Sequence, residues 1–526
     1  MKRFWIGLIV LLVWIVGCAG EGEQATAVPT NTPVIPTQTP TNTPTALTPI
    51  TPTPDLTAPT LFGTAWDDRE PFRTGLIPAE QEALDGLPGA TIYHITLRIS
   101  EGLDSVIGAE ELRYTNQEDV TLDEVQFHLY PNLLGGELAV PSVFVNQQPT
   151  QPAYSGPNNS VMHLPLPEPL SPGETAVIHL NFTTTIPTDT TRNYGVLAAS
   201  EGILALAHFY PMVAVYDDGW HTETPAPYGD LTYSDSAFFL VSIRAPADVV
   251  LTASGSAIDE QTSDDSQLIT VAAGPVRDFY VAASRDYVVA SRQVGETLIN
   301  SYAPSQFVEG GTAVLNHAAA ALEVYSSRFG TYPFSELDIV STNTSALGIE
   351  YPGIIADALR IYDLAGSSGS LPNTIRLEST TAHEVGHQWF YSMVGNDQLT
   401  EPWLDESLTQ YAVYLYYLDT GGPQAAASFY SYLEGYWNAA EERNTPIGLP
   451  VAAYDEGAYG SIVYGRGPIF MYQLTQAMGE APFAAFLQAY VSQFKWGIAH
   501  GTDFQSLAEQ QCQCDLDALF AKWVGN

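Results

Sequence analysis

The chain has 526 residues, 45% of them hydrophobic, and carries 18 Lys and Arg against 59 Asp and Glu, a formal net charge of -41. That length exceeds one ordinary core and predicts two folded domains, while the apolar content excludes a wholly disordered chain. The charge excludes nucleic acid, whose phosphates it would repel, and a basic patch gripping anionic lipid; it favours solubility and draws cationic ligands.

In chain order, Lys2 and Arg3 precede an apolar run from Phe4 to Gly17. The run is shorter than the ~20 residues that span a bilayer and reads as a secretory signal. It ends IVGC, Ile15 to Cys18, which resembles the bacterial lipobox, where the cysteine is acylated and becomes the new N-terminus. Residues 1–18 are thus expected to be a lipoprotein signal, with Cys18 anchoring the protein in the cell envelope, on the extracytoplasmic face of a membrane. Residues 19–62 are expected to be a disordered stalk. From Thr26 to Thr60, 22 of 35 residues are Thr or Pro, with no apolar period. Nothing there offsets the entropy cost of folding, and such a chain reaches on the order of 100 Å.

From 84 to 286 the pattern alternates near period two, as in TIYHITLRIS, AVIHLNFTTT and AFFLVSIRAP, with turn-rich SGPNNS and SPGE between. This predicts an antiparallel β-rich domain, saddle- or sandwich-like. The stretch His208 to Asp230 is aromatic and irregular, as a covering loop would be. From 287 to 526 helical spacing takes over, entered through a strand, ELDIVSTN. GTAVLNHAAAALEVYSSRFG predicts a helix capped at Gly330, and RLESTTAHEVGHQWFYSMVG one ending at Gly395. PWLDESLTQYAVYLYYLDTGG, PIFMYQLTQAMG and FAAFLQAYVSQF follow as helices. The fold class is α+β and multidomain. Cys512 and Cys514 are one residue apart; a bridge between them would be strained, so no disulfide framework is expected.

TAHEVGH places His383 and His387 four apart on a helix, where both rings share a face, with Glu384 about 100° around. Glu406, in the first turns of the next helix, can supply a third ligand. Two His and one carboxylate leave a fourth position for water, the arrangement of a catalytic zinc, with Glu384 free to act as base. The same ligand set also holds iron, but the flanking base favours hydrolysis. A metzincin would need Gly and His where Phe390 and Met393 stand.

The glutamate that follows the second histidine after eighteen intervening residues resembles that of the gluzincins of the aminopeptidase N family. WLDES resembles that family's WLNEG, FGTYPF (Phe329 to Phe334) its FGxYPY, and YGRG (Tyr464 to Gly467) its YxKG. LGIEYPG (Leu347 to Gly353) occupies the place of GxMEN. The resemblance implies a thermolysin-like catalytic domain behind the β-rich domain. It implies one Zn²⁺ held by His383, His387 and Glu406, with Glu384 as general base. Tyr464 would donate to the oxyanion, and Glu350, with Gly348 of the same motif, would bind the substrate's α-amino end. Ile349 and Tyr351 depart from GxMEN, Arg466 from YxKG, and Asp405 and Ser407 from WLNEG. No copy of the family's acidic N-domain motif is found, and the domains that follow the catalytic domain in larger members are expected to be absent. The expected function is that of a membrane-anchored zinc metallopeptidase, an aminopeptidase on peptide substrates. The alternatives are a catalytically impaired peptide-binding lipoprotein and an endopeptidase of the same chemistry.

Overall fold

The alternating and helical halves of the sequence become two differently built halves of one body. In the computed structural model, residues 61–525 are described; the leader, Cys18 and residues 19–60 of the predicted stalk lie outside them. Among the described residues, no helix is long and apolar enough to cross a membrane. The chain enters the fold at Leu61, whose N–H donates to Glu111 Oε2 at 3.1 Å. Phe62 packs edge-on against His94, and Trp66 stacks on the same ring at 4.3 Å. Between the predicted stalk and the first strand lie two short 3₁₀ segments, Glu70–Gly75 and Pro78–Asp85, and this stretch buries Phe72, Leu76 and Leu84. They strap the two halves together: Ile77 N–H donates to Pro333 O at 2.9 Å and Ser335 N–H to Gly75 O at 3.0 Å.

The β-rich half holds an eight-stranded sheet and two four-stranded sheets. The strands Ile92–Ile99, Ser105–Thr115, Thr175–Thr185 and Ala237–Pro246 lie where the alternation placed them. One pairing, Ile92–Ile99 with Ala237–Pro246, is parallel in an otherwise antiparallel sheet. A further sheet begins at Tyr287. Its five strands run in the order Tyr287–Val294, Thr297–Pro304, Glu336–Thr342, Ile354–Ala358, Gly348–Tyr351, with the last antiparallel at the edge. Of these only Glu336–Thr342 was legible; Ile354–Ala358 and Gly348–Tyr351 are short, and Tyr287–Val294 and Thr297–Pro304 do not bury one face in regular alternation.

Among the described residues there are eight α-helices: α1 Val308–Phe329, α2 Asn373–Gly386, α3 Leu408–Trp437, α4 Glu456–Ser461, α5 Gly467–Met478, α6 Glu480–Phe494, α7 Gly501–Cys512 and α8 Asp517–Trp523. α1 stops before Gly330, which takes φ 120. α3 breaks at Gly422 (φ 74) before Pro423, at the GG read as its end. α2 differs from expectation. It ends at Gly386, not Gly395, because the next turns close by five-residue bonds (Ser392 N–H to His387 O, 2.9 Å; Val394 N–H to Trp389 O, 3.0 Å). Gly395 has another use. A Cβ there would meet the Arg277 guanidinium carbon at 2.2 Å. That guanidinium is buried and donates to Ser234 O at 2.9 Å and Tyr391 O at 2.8 Å, stapling the halves. The expectation for the cysteines is also overturned: Cys512 and Cys514 are bonded. Gln513 takes the left-handed conformation (φ 53, ψ 41) at the C-cap of α7. That turn brings the two Cα atoms to 5.2 Å, inside disulfide range.

Candidate active site

α2 packs between the five-stranded sheet and α3, and its last turn carries the two histidines. The sequence Trp403–Ser407 forms a single π-type turn leading into α3, which swings Glu406 toward them. His383 Nε2 lies 3.0 Å from His387 Nε2 and 3.1 Å from Glu406 Oε2. His387 Nε2 lies 3.4 Å from the same oxygen. Ligand atoms of a tetrahedral zinc, with bonds of about 2.0–2.2 Å, stand roughly 3.3–3.6 Å apart. The three atoms therefore need to spread by only tenths of an ångström to receive one. His387 Nδ1–H donates to Phe390 O at 3.0 Å, which fixes the tautomer with the Nε2 lone pair turned to the site. The residues fit a zinc ion.

Glu384 is 3% exposed, and its Oε2 has no hydrogen-bond partner. Burial pushes its carboxyl well above the usual carboxylate range, with His387 opposing and Glu350, Asp357 and Glu406 adding. It lies directly over Gly348: a Cβ there would come within 2.3 Å of Glu384 Oε1 and 2.6 Å of Cγ. Gly348→Ala is accordingly expected to displace the Glu384 carboxylate and lower kcat by about 100-fold with zinc content unchanged. Steady-state kinetics beside metal analysis checks this. Tyr464 lies on a second π-type turn, Ile462–Arg466, and its hydroxyl donates to Glu406 Oε1.

A second group of acids adjoins the first. Ligand-capable oxygens of Asp230, Glu350 and Asp405 all lie within 4.8 Å of one another. Burial drives Asp230 well above the ordinary range, with Glu350 and Glu406 adding. Asp405 is raised to about 8 by burial and then Glu406. Three carboxylates crowded in this way cannot all ionise until a cation joins them. Gln398 holds the group in place: its Nε2 donates to Glu350 Oε1 at 2.9 Å and to Asp405 Oδ2 at 2.8 Å, and its Oε1 accepts from Thr232 Oγ1 at 2.9 Å. Asp230 and Thr232 come from the end of the irregular aromatic loop of the β-rich half. Neither they nor Gln398 stood out in the sequence, where each is a single polar residue in a turn.

All seven predicted site residues among the described ones, His383, Glu384, His387, Glu406, Tyr464, Glu350 and Gly348, line one cavity of about 950 Å³ between the halves. Residues 313–523 match the Peptidase family M1 domain. The M1 zinc metallopeptidase of Deinococcus radiodurans superposes over 83% of this chain and 92% of its own, with a TM-score of 0.61 at 20% identity. A variant of it bound to a Tyr-Ser-Ala substrate covers 83% and 95%, with a TM-score of 0.62 at 20% identity. The fold is thus that of two-domain M1 peptidases, a β-rich domain followed by a helical one. Among curated proteins, Aminopeptidase M1 of Arabidopsis thaliana is 23% identical over 303 residues, 55% of this chain and 34% of that protein. Aminopeptidase 2 of Candida albicans is 23% identical over 301 residues, 55% and 32%. The chain spans about a third of the length of these curated relatives.

Proposed function

We propose that this protein is a zinc aminopeptidase that removes N-terminal residues from peptides outside a bacterial membrane, to which a lipid on Cys18 holds it. The observation that carries the reading is one cavity lined by the His383, His387 and Glu406 triad together with Asp230 and Glu350, with Asp405 buried beside those two acids. One ion, held by His383, His387 and Glu406, would supply the Lewis acidity that lets water attack a peptide carbonyl at neutral pH. Glu384 takes the proton of the attacking water and delivers it to the departing amine. Tyr464 turns its O–H from Glu406 toward the carbonyl oxygen as negative charge grows there. Asp230 and Glu350 receive the substrate's α-ammonium, whose pKa of about 7.7–8.0 keeps it largely charged at neutral pH. Asp230 then takes the part of the N-domain anchor that no sequence motif revealed. With the ammonium held at that end, the bond presented to the triad is the first one.

A panel of free and N-blocked peptides, with products identified by mass, tests this. Free peptides are expected to lose one residue at a time and blocked ones to survive. Glu350→Ala is expected to lower kcat/KM on free peptides by about 10–100-fold, the size of a lost charge-assisted hydrogen bond. Cleavage of blocked peptides, with Glu350→Ala neutral, would make the protein an endopeptidase. Bound zinc without any turnover would leave a binding protein. The anchor is tested separately, by whether the Cys18→Ser protein leaves the membrane fraction.

A further inference from the structure

We propose that Arg376, with Arg360 and Arg192 beside it, forms a subsite for the terminal carboxylate of a short peptide at the end of the cavity opposite Glu350. The inference rests on the peptidase reading and names its substrate class: tri- and tetrapeptides with free C-termini. The chain has only 18 Lys and Arg among 526 residues, yet three arginines line this one cavity. Among the described residues, none of the three forms a salt bridge, although Arg73, Arg113, Arg285 and Arg328 all do. Arg376 Nη1 donates to Tyr432 Oη at 3.2 Å and Nη2 to Ser368 O at 3.4 Å, both long, and its buried Nε has no partner. Arg360 donates to Thr344 O at 2.5 Å and Ser345 O at 2.9 Å. Its own carbonyl accepts from Asn373 Nδ2 at 2.9 Å, one turn of α2 before Arg376. The Arg192 segment reaches the same place, since Tyr194 O accepts from Ser345 N–H at 2.8 Å. Arg360 and Arg376, neighbouring guanidinium groups with no salt-bridge partner in so acidic a protein, leave the site suited to an incoming carboxylate.

The direction is set by the edge strand. Gly348 sits against Glu384, and further on Gly353 N–H donates to Gln388 Oε1 at 2.9 Å while Tyr351 O accepts from Gln388 Nε2 at 3.0 Å. The strand therefore runs along α2 toward its C-terminal end, with Glu350 beside His387. Thr344 and Ser345, upstream, lie toward the N-terminal half of α2 with the arginines. A peptide whose ammonium rests on Glu350 and Asp230, with its first peptide bond at the triad, must extend toward Arg376. Seven helical residues separate Arg376 from His383, about 10 Å along the axis. Two or three extended residues beyond the cleaved carbonyl span about 7–10 Å. The lengths agree for three- and four-residue substrates.

The test compares trialanine as free acid and as C-terminal amide, by calorimetric binding to the zinc-loaded Glu384→Gln protein and by kcat/KM in the wild type. The acid is expected to be favoured at least about tenfold in both. The preference should fall toward one in Arg376→Gln and return in part in Arg376→Lys. Equal binding of acid and amide, or a preference that survives Arg376→Gln, overturns the subsite. Amidated Ala-Ala-Asp separates a terminal from a side-chain carboxylate: it should bind like the plain amide, and tight binding overturns the terminal assignment. Absent cleavage with the acid preference intact removes the peptidase reading and leaves the carboxylate subsite standing.

Discussion

Glu384→Gln is expected to lose at least about two orders of magnitude in kcat while binding zinc in full. Glutamine keeps the shape of the side chain and fits over Gly348 as glutamate does, so the pocket need not rearrange. What it lacks is a basic oxygen to take the proton of the attacking water and pass it to the leaving amine. The carboxylate stands outside the His383, His387 and Glu406 triad, whose three atoms already sit at 3.0–3.4 Å. Metal affinity should therefore survive. Two measurements on one preparation check the claim: zinc per chain, and kcat on an aminoacyl reporter. Full zinc with undiminished turnover would remove Glu384 from the mechanism.

The contrast between these residues and the ones the sequence concealed has a physical origin. His383 and His387 are legible because ligand spacing on a helix is local: four residues fix two rings on one face whatever surrounds them. Glu406 and Tyr464 are legible through the motifs around them, although both lie on π-type turns that periodicity does not reveal. Asp230 and Gln398 reach Glu350 only across long stretches of chain, 120 residues from Asp230 to Glu350 and 48 from Glu350 to Gln398. No local pattern marks such a residue. The end of α2 was misplaced for a similar reason. Gly395 reads as a helix stop, but its missing side chain makes room for Arg277 from the other half of the molecule. The bridge between Cys512 and Cys514 depends on one left-handed residue, Gln513, a conformation that glutamine's identity does not announce. The strands of the β-rich half were readable because alternation with one buried face is enforced residue by residue.

For His387→Ala, loss of both zinc and activity is expected, and the two should fall together. His387 is 1% exposed, and it shares one cluster of ligand atoms with Glu350 and Glu384 as well as another with His383 and Glu406. Its Nδ1–H is committed to Phe390 O, so no neighbouring side chain is oriented to replace its Nε2. Two remaining ligands cannot hold a stoichiometric complement of zinc against dialysis. The wild type should carry one zinc per chain, and the variant less than about a tenth of that. A thermal readout separates this from misfolding. A ligand that binds only the folded state adds about 2.7 kcal/mol at one hundred times its Kd, so chelator should lower the wild-type Tm. The variant's Tm should not respond to chelator, while its far-UV spectrum stays that of the wild type. A variant that folds, keeps stoichiometric zinc and still melts lower with chelator would place the ion on other side chains, and the assignment of His383 and Glu406 would fall with it.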